Sequence, residues 1–143
     1  MTPISILTTG ANEKKGIVSP ILLPDWAVLD GELTVSLPSH VTAATGIDAM
    51  VHAIEAYTTK IKKNSLSDLL AKESLRLLGG NIRTVCSPQG AQNAQARGAM
   101  LLGSMYAGMA FANAPVGAVH ALAYPIGSHF HVPHGLSNSL VLP

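Results

Sequence analysis

Charge is scarce in this sequence. Of 143 residues, only 12% are Asp, Glu, Lys or Arg, about half the share usual in a soluble domain. Net charge is +1, which gives no electrostatic footprint for a nucleic-acid partner. Aromatics are 4%, so Ala, Leu, Val and Gly must supply most of the apolar mass. A single cysteine, Cys86, excludes a disulfide scaffold and reads as a buried structural thiol. No P-loop, G-x-G-x-x-G or HExxH run occurs, and no serine sits in a nucleophile elbow. Hydrophobic residues reach 48%, which excludes a disordered chain, since such chains are apolar-poor.

The few charges are unevenly placed. Arg97 is the last acidic or basic residue, and 98–143 carry none. Such a stretch either enters a membrane or is the buried centre of a larger assembly. Residues 98–119 are long enough to span a bilayer, but Gly98, Gly103, Gly108, Gly117, Ser104, Asn113 and Pro115 dilute them. A packed protein interior without a membrane is the expectation. The N-terminus shows no basic region followed by an apolar one, hence no secretory signal, and a cytoplasmic location is expected.

The local pattern predicts a mainly α chain, a short N-terminal β-hairpin followed by an all-helical bundle. Ile4 to Thr9 is rich in β-branched residues and reads as a strand. Gly10 to Gly16 reads as a turn, and Trp26 to Asp30 as the second strand. Pro38 opens a helical region, with Ala44, Ile47, Val51 and Ile54 at helical spacing. Lys60, Lys62 and Lys63 read as a solvated loop. Ser65 with Asp68 reads as a variant capping box opening a helix whose apolar face is Leu66, Leu69, Leu70, Leu75, Leu77 and Leu78, ended by Ser87-Pro88. A long helix is expected from about Gln92 to Phe111, and another from near Gly117 up to Pro125. Val132 to Gly135 reads as a loop before a last helix from Leu136.

Two groups of residues carry chemistry. Asp48 and His52 stand four apart on the first helix, one turn apart on one face. Such a pair is either a surface contact or half of a cation site. His120, His129, His131 and His134 lie within fifteen residues without any acid. A lone imidazole there would be a core histidine bonded to backbone, whereas four together point toward a metal. Asp48 is the carboxylate that could join them.

These residues lie in two runs that resemble a known family. Ala44-Thr45-Gly46-Ile47-Asp48-Ala49-Met50-Val51-His52-Ala53-Ile54-Glu55 resembles the first signature of the iron-containing alcohol dehydrogenases. Gly117-Ala118-Val119-His120-Ala121-Leu122-Ala123-Tyr124-Pro125-Ile126-Gly127, continuing to Pro133-His134-Gly135, resembles the second. Lys15 to Pro38 is similar to the strand-and-loop segment that leads into the family's helical domain.

The resemblance implies a dehydroquinate synthase-like helical C-terminal domain, incomplete relative to the family. It divides the chain into residues 1–37, a hairpin remnant of a nucleotide-binding domain, and 38–143, a helical metal-binding domain. It implies Asp48, His52, His120 and His134 as metal ligands, which leaves His129 and His131 as pocket or packing residues. Fe(II) is the metal implied, with Zn(II) as the alternative, because a mixed N/O donor set suits either. Many members carry a His four residues after the third ligand, near the nicotinamide, where it relays protons. Tyr124 holds that position here and is the candidate catalytic residue. The implied activity is NAD- or NADP-linked oxidation of a small alcohol, or reduction of an aldehyde or ketone. The Gly-rich domain that binds the dinucleotide in the family is not among these residues, so the chain alone is expected to be inactive. A homo-oligomer is also expected, and the other reading is a non-catalytic chain that binds metal or oligomerises.

Overall fold

A computed structural model describes residues 2–9, 14–115 and 117–142. Strands β1 (Ile4–Thr8) and β2 (Lys14–Val18) form an antiparallel hairpin with Ile4 opposite Val18 and Thr8 opposite Lys14. Five helices follow: α1 (Ser39–Thr58), α2 (Ser65–Cys86), α3 (Ala94–Asn113), α4 (Ala118–Phe130) and α5 (His134–Val141). The mainly α architecture is therefore as the sequence predicts.

The second strand lies elsewhere than expected. Lys14 to Val18 pairs with β1, although Lys14, Lys15 and Gly16 read as part of a turn; residues 10–13 of that turn lie outside the described residues. Trp26 to Asp30 forms no strand, and Trp26 is 88% exposed. A lone extended segment has no partner for its backbone N–H and C=O groups, so propensity alone does not make it a strand. Asp30 instead caps a short 3-10 turn over Gly31–Thr34, its side chain accepting from Glu32 N–H at 2.9 Å.

Helix α1 follows Pro38, whose carbonyl accepts the first intrahelical bond from Thr42 N–H at 2.9 Å. Of its expected apolar stripe only Val51 is fully buried; Ala49, Ala53, Ala56 and Glu55 are buried as well, so packing covers more than one face. Helix α2 is capped by Asn64, not by a Ser65–Asp68 box: Asn64 Oδ1 accepts from Ser67 N–H at 2.9 Å. Asp68 instead pairs with Lys63 at 2.8 Å. The buried stripe of α2 is Ser67, Ala71, Ser74, Leu78 and Val85, whereas Leu66 and Leu69 face outward. The helix continues through Gly79-Gly80 to Cys86.

Small side chains set the spacing of the bundle. Ala53, Ala56, Ala71, Ala107, Ala110 and Ala114 form the central cluster, drawn from α1, α2, α3 and the residue that follows α3. Ser74 Oγ donates to Gly103 C=O at 2.7 Å between α2 and α3, a bond that requires close backbones. Arg97 is 2% exposed. Its guanidinium donates to Thr42 Oγ1 at 2.9 Å and to Ala91 C=O at 3.0 Å, tying α3 to α1 with hydrogen bonds that offset the cost of burying the charge. Cys86 is half-buried rather than buried, with Sγ 3.7 Å from Ser39 C=O. Among the described residues, no helix is long and apolar enough to cross a membrane.

Candidate metal centre

Three elements converge at one end of the bundle. Helix α1 supplies Asp48, His52 and Glu55, spaced i, i+4, i+7, so all three share a face. Helix α4 supplies His120 in its first turn. Helix α5 supplies His134 at its first position and Asn138 one turn later. The last helix therefore begins at His134, not Leu136, and Pro133 precedes it as its cap residue. Gly135 permits the approach of α5 to α1: a Cβ there would lie 2.0 Å from Ala44 C=O.

One ligand atom from each of Asp48, His120 and His134 falls within 4.8 Å of the others. His120 Nε2 lies 3.6 Å and His134 Nε2 3.4 Å from Asp48 Oδ1. His52 stands beside this group. Its ring centroid is 4.2 Å from that of His120, and its edge meets Phe111 at 5.0 Å. His52 Nδ1 is 2.9 Å from the Asp48 backbone carbonyl. A carbonyl only accepts, so Nδ1 carries the proton and Nε2 keeps its lone pair. Tyr124, one turn after His120, stacks on His134 with centroids 5.6 Å apart and planes 14° apart, so its ring borders the cluster. Helix α4 runs through Pro125 rather than stopping there. His129 and His131 are exposed, which corrects their reading as packing residues of this chain.

Two further residues belong to this centre, Glu55 and Asn138, and their contacts with His120 and Asp48 span the chain. Glu55 is 4% exposed, and its Oε2 lies 2.5 Å from His120 Nδ1. Asn138 is fully buried. Its amide nitrogen contacts Asp48 Oδ1 and lies 3.3 Å from both His120 Nε2 and His134 Nε2. Its Oδ1 is a buried atom without a hydrogen-bond partner. One neutral N–H₂ group thus lies against a carboxylate oxygen and two imidazole nitrogens. Those three atoms, gathered within 4.8 Å of one another, are the mixed O/N set that a divalent cation takes, so the donor set fits a metal.

The electrostatics agree with this crowding. Burial works to raise the Asp48 carboxyl, but the neighbouring imidazoles of His120, His52 and His134 hold it below its ordinary value. Burial lowers His52, only partly opposed by Asp48. Burial also works to lower His120, but the carboxylates of Asp48 and Glu55 on either side of its ring outweigh that and raise it. Burial raises Tyr124, helped by the negative charges of Asp48 and Glu55. Between α1 and the start of α5, a cleft of about 710 Å³ opens beside Asp48 and His134, lined also by His40, Ile47 and Leu136.

The profile of the Fe-containing alcohol dehydrogenase family, C-terminal region, matches residues 42–143. The chain belongs to the iron-containing alcohol dehydrogenase family. It is 46% identical to the long-chain-alcohol dehydrogenase 1 of Geobacillus thermodenitrificans over 143 residues, all of this chain and 35% of that protein. Solved family members superpose closely. The iron-containing alcohol dehydrogenase of Thermotoga maritima gives a TM-score of 0.88 at 35% identity, over 99% of this chain and 38% of that one. The alcohol dehydrogenase of Oenococcus oeni gives 0.92 at 34% identity, over 99% and 37%. The chain thus spans about a third of the length of the family members it matches.

Proposed function

We propose that this chain holds the metal of an NAD- or NADP-linked alcohol dehydrogenase that oxidises a small alcohol or reduces an aldehyde or ketone. The observation that carries the reading is the convergence of Asp48, His120 and His134 on a single buried amide N–H₂, in a chain of this family. Asp48, His120 and His134 would hold the ion, with His52 as fourth donor through Nε2, and iron is the metal that the family carries. When bound, the metal supplies Lewis-acid polarisation of the substrate oxygen, and the nicotinamide supplies hydride chemistry.

The chain's own residues do the rest. Asp48 contributes a negative charge among the imidazoles of His52, His120 and His134, which limits the net charge of the site. The ring of Tyr124 walls one side through its stack on His134. Its hydroxyl is held protonated by burial and by neighbouring carboxylates, so it can hydrogen-bond a substrate but does not titrate near neutral pH. The apolar cleft beside Asp48 and His134 offers a place for the carbon skeleton of the substrate.

The 143 residues contain no Gly-rich phosphate-binding turn, the feature that anchors a pyrophosphate at a helix N-terminus. Hydride transfer needs the nicotinamide carbon held within roughly 3–3.5 Å of the reacting carbon. The chain alone is therefore expected to bind metal without turnover. Purified chain loaded with Fe(II) or Zn(II) is to be assayed for NADH and NADPH formation with short alcohols and diols. No turnover alone, with activity on adding a nucleotide-binding domain of the family in trans, supports the reading. Turnover by the chain alone would show that these residues grip the cofactor themselves. Inactivity even with the added domain would favour a chain that binds metal without catalysis.

A further inference from the structure

Glu55 is a buried carboxylate in an alanine-rich interior, between Ala53 and Ala56, which are themselves fully buried. A carboxylate in such surroundings is tolerated only with several hydrogen-bond donors. All of its described donors come from the start of α4. Oε1 accepts from Val119 N–H at 2.7 Å and, more weakly, from His120 N–H at 3.4 Å. Oε2 takes His120 Nδ1 at 2.5 Å. Helix α4 has no side-chain cap of its own, because Gly117 stands at its N-cap position. A Cβ at that position would lie 3.1 Å from Glu55 Oε1, so the glycine gives the carboxylate room. A side chain from α1 thus supplies the cap of a helix more than sixty residues later in the chain.

We propose that Glu55 is a positioning residue that fixes the tautomer and orientation of His120 while it caps α4; the inference rests on the metal-site reading above. With Glu55 Oε2 as the acceptor at 2.5 Å, His120 Nδ1 carries the proton and Nε2 presents its lone pair. Nε2 is the atom that faces Asp48 and Asn138. The same carboxylate holds the backbone from which His120 projects, so ring and helix are registered against α1 together. Asp48, His52 and Glu55 then form one stripe, two residues toward the ion and one behind it.

Glu55→Gln separates this role from simple capping. The amide oxygen still accepts from the Val119 and His120 N–H groups, so α4 keeps its cap. The amide N–H₂ then faces Nδ1, which must accept, and the imidazole proton moves to Nε2, where it blocks metal. The tautomer of His120 is read by ¹⁵N NMR of the metal-free chain at alkaline pH, where imidazoles are neutral, with the signal assigned by its loss in His120→Asn. Affinity is read by titration with Co(II) alone.

The expected result is Nδ1–H in the parent and Nε2–H in Glu55→Gln, with Co(II) affinity lower by about 10–100-fold and a similar circular dichroism melt. An Nε2–H tautomer in the parent would overturn the proposal, and that measurement needs no variant to fold. Equal Co(II) affinity in parent and variant would also overturn it while leaving the metal centre standing. A parent that binds no Co(II) would instead contradict the metal reading, and the tautomer result would still decide whether Glu55 orients His120.

Discussion

Asn138 is the residue on which the economy of the centre turns. Its amide nitrogen meets Asp48, His120 and His134, and its oxygen has no partner. Replacing it with Asp would set a second carboxylate against Asp48 in a buried place, where like charges repel. Asn138→Asp is therefore expected to destabilise the metal-free chain by about 1–3 kcal/mol and to gain more thermal stability from added Zn(II) than the parent does. Paired thermal melts with and without Zn(II) check this, and an equal metal-induced gain in both proteins would contradict it. Glu55 escaped the sequence reading because its partners lie 64–65 positions away, and Asn138 because its contact with Asp48 spans 90 positions, although its i, i+4 spacing from His134 was a local signal. Asp48 and His52 were legible because helix geometry brings i and i+4 together. Glu55 extends the same stripe to i+7, and a buried acid there is the one available signal for it.

At the scale of the element, the contact of α5 with α1 assembles the cluster. Gly135 lies against the Ala44 carbonyl, one residue after His134. Gly135→Ala would force the two helices apart, and overpacking of this kind costs about 1–3 kcal/mol. The expected outcome is a lower melting temperature together with weaker Co(II) binding, because His134 would retreat from Asp48. A variant of lowered stability but unchanged Co(II) affinity would show that α5 does not set the ligand spacing. The helices themselves were largely legible, since apolar periodicity and the Pro and Gly breaks are local signals. The strands were not. Trp26 to Asp30 has the composition of a strand without a partner, while Lys14 to Val18 has a poor composition and a partner in β1. Pairing decides strand identity, and pairing is not local. The capping residue of α2 was displaced by one position, from Ser65 to Asn64, because either short polar side chain can do the work.

At the scale of the whole molecule, apolar exposure concentrates in the segment before α1. Ile21 is 92%, Trp26 88%, Val28 89% and Leu33 78% exposed, apolar surface open to a partner. Self-association of the isolated chain is the expected consequence, read as a mass above that of one chain in light scattering coupled to size-exclusion chromatography. Trp26→Ser with Val28→Ser should shift it toward the monomer without loss of helicity, and a strictly monomeric parent would contradict the expectation. The charge-poor stretch 98–143, expected from the sequence to be packed interior, is largely helical over its described residues and supplies the core through Ala107, Ala110, Ala114 and Ala123. The same stretch carries His120, His134 and Asn138, so its low charge leaves Asp48 and Glu55 as the acids facing the site.

The central claim is that α1, α4 and α5 together build one divalent-metal site. Equilibrium dialysis of the purified chain against Fe(II) under anaerobic conditions, with metal counted per chain, tests it most directly. The account predicts one ion per parent chain and a loss of binding in both Asp48→Asn and His120→Ala, with helicity retained. A parent that binds no ion, or variants that still bind one per chain, would contradict it.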